Sequence, residues 1–365
     1  MFGAAPAAAA PRPPPPREAR GPSFHQQLQR PSAPRPQESF EDEADNSNAP
    51  WTPPAPRVAT GAAELRTPGE HPLRAVLRSL EPPSSYASPP GSPPPPPPGE
   101  APPPTLVQDA GELTRMAGAM RGEAEVAIDL EYHSFRSFQG FTCVLQVSTR
   151  SEDFVVDALA LRSHIGPALA PVLEDPTVVK VLHGAEQDVP WLMKDFGLYV
   201  VGLADTQRLA AAAGHARLGL GAMLQHYVGL APDKRYQLAD WRRRPLPAEL
   251  VAYARLDTRY LLHVYDRLRA EAGPEACLDA WRASQEVACR VHERPTYNPG
   301  DWHAFHARHA KRRQRDLRGP QLAALEALYA WRDRTARAMD ESKGYVLSNG
   351  AMYRLAEGLP EGGRA

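Results

Sequence analysis

The sequence predicts an α/β domain built on a mixed β-sheet, preceded by a long proline-rich arm and followed by an all-helical segment. Three observations carry that reading. Residues 125–132 (EVAIDLEY) alternate with a period of two, which makes a strand. Two further alternating stretches, 141–149 and 153–157, follow around a turn at 149–152, so the first three strands form a meander. Beyond them, short apolar runs alternate with runs whose apolar residues recur at three and four, the mark of helices packed on a sheet.

In chain order, the arm comes first. Of the 41 prolines, 29 fall at or before Pro104, including the run Pro93–Pro98. With its Ala and Ser tracts, the segment 1–104 is expected to be disordered or extended. About 260 residues remain, enough for one full-sized domain and a smaller one. Residues 106–120 read as a lead-in with a short helix (GELTRMAGAM), and the first strand follows. A helix over 162–173 is broken by Asp175–Pro176, and 178–182 is a short, fully apolar strand. A helix over 185–196, a strand at 199–201 and a helix capped by Asp205–Thr206 come next. Residues 218–227 form an amphipathic helix, 231–247 a loop, and 250–269 a further helix. This places a first domain at 105–272 and a helical linker at 273–318, irregular around 294–300. A second helical domain spans 319–365, with Leu322, Leu325, Leu328 and Tyr329 on one face.

Net charge is −1, so bulk charge does not advertise nucleic-acid binding. Basic clusters at 242–244 and 308–318 read either as solvated faces or as phosphate contacts. The three cysteines, Cys143, Cys277 and Cys289, form no CxxC pair, as expected of reduced thiols. No apolar run reaches ~18 residues, so no membrane span is expected. The N-terminal stretch, rich in proline with no basic start, is a poor secretory signal. The basic run 311–315 would serve as a nuclear import signal or as a charged helix face.

The chemistry lies in three separated segments. Asp129 and Glu131 project from the same side of an otherwise apolar strand, where an unpaired carboxylate pair is unusual. Asp188 falls in the first turn of its helix, a place where a carboxylate also complements the helix dipole. Tyr253 and Asp257, four apart, share a helix face one turn apart. Each pair alone is a weak signal; their order and spacing together are not. Four acids around one pocket repel each other unless cations sit between them. Oxygen ligands without a Cys/His set point to Mg²⁺ or Mn²⁺. His303, His306 and His309 recur every three residues, but lacking a fourth ligand they read as one side of an amphipathic helix rather than as zinc ligands.

With their flanks (DLEYHSFRSFQGFTCVLQVSTR, KVLHGAEQDVPWLMKDFGLYVVGLADT and YQLADWRRRPLPAELVAYARLDTRYLLHVYD), these segments make residues 122–271 resemble the RNase D branch of the DEDD 3′→5′ exonucleases. The resemblance is to the tyrosine subtype, since the position where the histidine subtype carries its His is Ala252, and to the members associated with the nuclear RNA exosome. Residues 29–54 resemble the extended segment that precedes the nuclease domain in those members, and 317–360 resemble the first half of an HRDC domain. The resemblance implies an RNase H-like (DnaQ-type) fold followed by a partial all-α HRDC domain. It implies two Mg²⁺ ions, with Mn²⁺ able to substitute, held by Asp129, Glu131, Asp188 and Asp257. Tyr253 would orient the attacking water. Trp191 would stack the terminal base, and Lys234 and Gln237 would contact the terminal nucleotide. The family usually shows His directly after the Glu of its first motif; here Tyr132 stands there with His133 next, which bears on recognition of the 3′ end.

The function so implied is a metal-dependent 3′→5′ exoribonuclease releasing nucleoside 5′-monophosphates from single-stranded RNA. It would act in rRNA maturation and RNA surveillance, in the nucleus and nucleolus, with the exosome core and its nuclear cofactors as partners. The alternatives are a catalytically silent RNA-binding scaffold, which loss of an acid would favour, and a DNA-directed exonuclease with the same acids.

Overall fold

The computed structural model describes residues 35–42, 44–58, 67–84, 86, 102–313 and 316–359. A short helix, α1 (Arg74–Ser79), precedes a six-stranded sheet made of β1 (Thr105–Val107), β2 (Glu125–His133), β3 (Phe141–Ser148), β4 (Asp153–Asp157), β5 (Val179–Leu182) and β6 (Leu203–Asp205). The strand order is β1-β4-β3-β2-β5-β6. The β2–β3–β4 meander is antiparallel, and β1, β5 and β6 join it in parallel, so the sheet is mixed. All eight residues of β3 are buried, as expected of a central strand covered on both faces.

Helices α2 (Ala110–Arg121), α3 (Arg162–Leu173) and α4 (Asp188–Phe196) pack on the face carrying Val126, Ile128 and Leu130. On the opposite face lie α5 (Thr206–Ala212), α6 (Leu220–Tyr227), α7 (Ala248–Arg259) and α8 (Leu261–Ala288). That second face also carries Ala127, and with it, at the same period of two, Asp129 and Glu131. The ladder shifts between Glu131 and Tyr132: Val144 pairs with the first and Thr142 with the second, leaving Cys143 as an extra residue in β3.

The structure corrects several sequence expectations. The strand placed at 199–201 is extended, buried chain, but the ladder begins only at Leu203, after Gly202 turns with φ 79°. An apolar run cannot by itself distinguish a ladder strand from buried extended chain. The helix read over 250–269 is two helices meeting at Tyr260. The short strand β1 was not anticipated.

The arm is also corrected where it is described. Leu73 and Leu77, four apart on and beside α1, are fully buried in the core. Trp281 of α8 donates to the Leu80 carbonyl at 2.8 Å. Upstream, the Val58 N–H donates to Glu174 at 2.7 Å, and Arg57 donates to the carbonyls of Phe196 and Gly197. The linker boundary moves too. Although Gly273 (φ 76°, ψ 170°) breaks α8, the chain resumes as helix, and Cys277, Ala280 and Trp281 share a core with Val179 and Val181 of β5.

Four helices follow: α9 (Asp301–Arg313), α10 (Pro320–Ala338), α11 (Lys343–Val346) and α12 (Asn349–Gly358). Trp302 and Phe305 of α9 close over Leu325 of α10 and Met352, Tyr353 and Ala356 of α12. The open apolar face expected of a half-domain is therefore covered by α9, which the sequence reading assigned to the linker. On α9 the three histidines have ordinary partners. His306 meets Asp316 at 2.8 Å, His309 the Phe305 carbonyl at 2.9 Å, and His303 stacks on Trp302. Of the basic run 311–315, residues 314 and 315 lie outside the described residues.

The helical module is joined to the sheet by a buried ion cluster. Glu341, in the turn between α10 and α11, pairs with Arg136 of the β2–β3 loop at 2.7 Å and with Arg35. Beside it Asp340, in left-handed backbone (φ 46°), accepts from Phe138 N–H at 3.0 Å and from Asn46 at 3.0 Å. A non-glycine residue at positive φ costs on the order of 1 kcal/mol, and here it aims a carboxylate at two other chain segments. No helix among the described residues is long and apolar enough to cross a membrane.

Candidate metal-binding cleft

β2 presents Asp129 and Glu131 to α7, whose Tyr253 and Asp257 lie one turn apart on the facing side. Carboxylate oxygens of Asp129, Glu131 and Asp257 all lie within 4.8 Å of one another. They open into a cleft of about 1110 Å³ that Tyr253, Lys234 and Gln237 also line. Six of the predicted site residues thus line one cleft. Asp188, in the first turn of α4, is buried and does not join the trio at ligand distance, but the fields connect them. Its charge raises the Glu131 pKa, and the charge of Asp129 raises its own.

All four carboxyls are held above the usual range. Burial is the first cause in every case; mutual repulsion adds for Glu131, Asp188 and Asp257. Asp129 is pushed up to about 7 by desolvation. The rest of the domain treats buried acids differently. Asp153 is paired with Arg255 and Arg259, Asp195 with Arg162 and Lys194, and Asp266 with Arg150 and Arg269. Asp205 accepts from the N–H groups of Gly184, Ala185 and Gln207. Among the described residues, no basic side chain forms an ion pair with any of the four cleft acids. Carboxylates left this way either hold a proton or ionise beside a cation, and an all-oxygen donor set fits a hard divalent ion such as Mg²⁺ or Mn²⁺.

Burial and the neighbouring acids also push the Tyr253 phenol up, while a hydrogen bond from Gln237 works the other way. Its ring packs against Tyr236 and Trp241 at 5.5 and 6.1 Å.

The other three expected substrate contacts are not part of that cleft's lining. The Trp191 ring is stacked on Tyr132 at 4.0 Å and 5°, and the pair lines a separate hollow of about 760 Å³ with Pro190 and His292. The Tyr132 hydroxyl donates to the Gln139 carbonyl at 2.7 Å. Gly140 (φ 73°) is required there, since a Cβ would meet the Tyr132 ring at 2.4 Å. His133 is buried and accepts from the Arg136 N–H at 3.0 Å. Burial and the nearby Arg242 guanidinium hold its pKa down to about 3. Tyr132 and His133 therefore serve the β2–β3 loop. The cluster 242–244 is likewise engaged internally: Arg242 is buried against Asp240, and Arg244 pairs with Asp157 at 2.6 Å.

Sequence reasoning missed other residues at the cleft. His183 lines it, with Nδ1 2.8 Å from the Thr206 hydroxyl and Nε2 buried without a partner. Arg217 and Gln225 line it too. Gln146 pairs across the ladder with Asp129, is fully buried, and has no hydrogen-bond partner for either amide atom. The only signal for it was a polar residue inside an otherwise apolar strand.

The acids contribute a distinct part of the pH dependence of the metal-free fold. A carboxyl whose folded pKa exceeds its unfolded value contributes stability that is present below the unfolded pKa, about 4, and lost as pH rises through the folded one. The acids' share of the metal-free protein's stability is therefore expected to decline between pH ~4 and about 7, the Asp129 value, against the opposite trend of buried histidines such as His133, whose depressed pKa adds stability as pH rises. The Asp129→Asn variant is expected to lose part of that slope. Thermal melts in EDTA read it, and identical slopes in both proteins would contradict the cause given.

Comparison with known proteins follows from this geometry. A family profile described as 3′–5′ exonuclease matches residues 104–272, and an HRDC domain profile matches 321–363. The crystallographic catalytic core of RRP6 from Trypanosoma brucei superimposes with a TM-score of 0.82 at 35% identity, covering 91% of this chain and 90% of that one. Escherichia coli RNase D matches with a TM-score of 0.52 at 27% identity, over 71% of this chain and 67% of that one. In sequence, exosome complex component 10 of Mus musculus is 44% identical over 262 residues, 70% of this chain and 29% of the relative. The exosome complex exonuclease RRP6 of Saccharomyces cerevisiae is 36% identical over 269 residues, 70% of this chain and 36% of the relative. The chain thus spans about a third of the length of these curated relatives.

Proposed function

Since the chain belongs to the Rrp6 branch of the 3′–5′ exonuclease family, we propose that it is a metal-dependent 3′→5′ exoribonuclease that trims single-stranded RNA to nucleoside 5′-monophosphates. The observation that carries this is the set of carboxylates without a basic partner, Asp257 buried and Asp129 and Glu131 half-buried, that converge in an open cleft. Asp129, Glu131 and Asp257 would hold Mg²⁺ directly, and Asp188 would complete the second position directly or through water. When bound, paired divalent ions lower the pKa of water and neutralise charge on the phosphate oxygens.

The protein's own side chains do the remaining work. Burial and the neighbouring acids favour the protonated phenol in the metal-free cleft, and the role assigned to Tyr253 is to orient the attacking water by hydrogen bonding. Gln237 fixes the phenol in turn. Lys234 and Arg217, on the cleft wall, offer positive charge to the phosphodiester. The acids themselves repel the RNA backbone until their charge is neutralised, which couples substrate entry to metal loading. The names of the relatives support action with the RNA exosome, and the proposal extends to RNA processing and decay in the nucleus and nucleolus.

Degradation of 5′-labelled RNA and DNA oligomers with Mg²⁺, Mn²⁺ or EDTA tests the reading. A ladder of RNA products shortened from the 3′ end, absent in EDTA, is expected. Equal degradation in EDTA would overturn the metal requirement, and faster degradation of DNA would overturn the ribose preference.

A further inference from the structure

At the C-terminal end of α6, a second set of donor atoms converges beside the cleft, whose wall His226 also lines. The ligand atoms of His215, His226 and Glu271 all lie within 4.8 Å of one another. His215 Nε2 is 3.2 Å from Glu271 Oε2 and 2.9 Å from the Tyr227 hydroxyl, which donates to that same carboxylate at 2.6 Å. The three arrive on different elements: His215 follows α5, His226 is in the last turn of α6, and Glu271 belongs to α8. His215 is set by a helix terminator. Gly214 (φ 82°) donates to the Ala211 carbonyl, and the His215 N–H donates to that of Ala210, the paired bonds of a Schellman motif.

We propose that His215, His226 and Glu271 form a zinc site that ties α6 and the α5 terminus to α8. Two imidazoles and one carboxylate select a borderline transition ion over Mg²⁺ or Ca²⁺, and three protein ligands leave a fourth position for water. Ligand bonds of about 2.0–2.2 Å place tetrahedral donors roughly 3.3 Å apart. The His215–Glu271 separation of 3.2 Å already meets that. His226 is exposed and closes the triangle by side-chain rotation. The Tyr227 phenol donates to Glu271 and so supports a ligand from the outer shell. The Arg267 guanidinium, 6.0 Å from the Tyr227 ring, opposes the added charge and moderates the affinity. The site has a structural consequence for the nuclease: Gly221, Ala222 and Gln225 of α6 form part of the cleft wall. Zinc would fix that wall against α8 without touching the catalytic acids.

Calorimetric titration of Zn²⁺ into the full chain, held in excess Mg²⁺, tests the proposal. The wild type is expected to take up one more equivalent than Glu271→Gln or His215→Asn, or to bind that equivalent at least about 10-fold more tightly, the smallest loss typical of even outer-shell partners. Glu271→Gln is isosteric and His215→Asn removes the ring edge carrying Nε2; both positions lie outside the acid cleft's lining, and circular dichroism checks their folding. Co²⁺ in the same site is expected to show the visible absorption of a four-coordinate ion, lost in both variants. Equal Zn²⁺ uptake and affinity in all three proteins, or an unchanged Co²⁺ spectrum, would reduce the triad to a hydrogen-bonded surface cluster. The readout is binding, so it stands whether or not the oligomer assay shows RNA trimming.

Discussion

Replacement of Asp129 by Asn is expected to abolish Mg²⁺-dependent trimming of RNA while leaving the fold intact. The substitution is isosteric and removes one charge from the carboxylate whose oxygens approach both Glu131 and Asp257. A neutral amide holds a hard divalent ion poorly, so both stabilisation of the phosphate charge and activation of water fail together. The loss should exceed the ~10²–10⁴ that a single acid–base group typically contributes. Single-turnover degradation of a labelled oligomer measures it, with circular dichroism as the check on folding. The same change relieves repulsion among buried acids, so the metal-free variant should melt higher than the wild type near pH 8. Undiminished trimming by Asp129→Asn would remove the metal assignment.

For Tyr253→Phe, the expected loss is ~10²–10⁴ in the rate of the chemical step. The ring remains, with its contacts to Tyr236 and Trp241, and only the hydroxyl goes. A positioning phenol acts in the transition state, so kcat should fall with little change in KM. Because burial and nearby acids hold the phenol well above its ordinary pKa, the deficit should be nearly constant between pH 6 and about 8. A wild-type rate would leave Tyr253 as packing, and a deficit that closes at low pH would instead mark it as a base.

Much of this site was legible in the sequence because it rests on short-range periodicities. Asp129 and Glu131 stand two apart on one strand, and Tyr253 and Asp257 four apart on one helix; both spacings survive any error at an element's ends. The break at Tyr260, which divides the helix read over 250–269, therefore left the pair Tyr253/Asp257 undisturbed. What escaped depends on long-range packing. Trp191 lies three residues after Asp188, yet it faces a different hollow because the Tyr132 ring covers it. Gln146 gains its meaning only from the strand beside it. In the arm, an average over 104 residues dominated by proline hid Leu73 and Leu77, whose burial depends on a groove far away in sequence. Residue 273 looked like a domain end because glycine followed by proline ends most helices, whereas here the chain resumes and supplies Trp281 to the same core.

The contact of Glu341 with Arg35 and Arg136 has a practical outcome for anyone shortening this polypeptide. Trimming to the stretch recognised as nuclease would discard the carboxylate, Arg35 and the Tyr345 ring that cover Arg136, and so uncover the β2–β3 loop. In the full chain, where the cluster stays buried, loss of the Glu341 carboxylate alone would cost on the order of 3–5 kcal/mol, a large share of the margin by which a domain stays folded. The minimal working piece therefore has to begin before Arg35 and continue past Glu341, and an inactive shorter fragment would report on broken architecture rather than on missing chemistry.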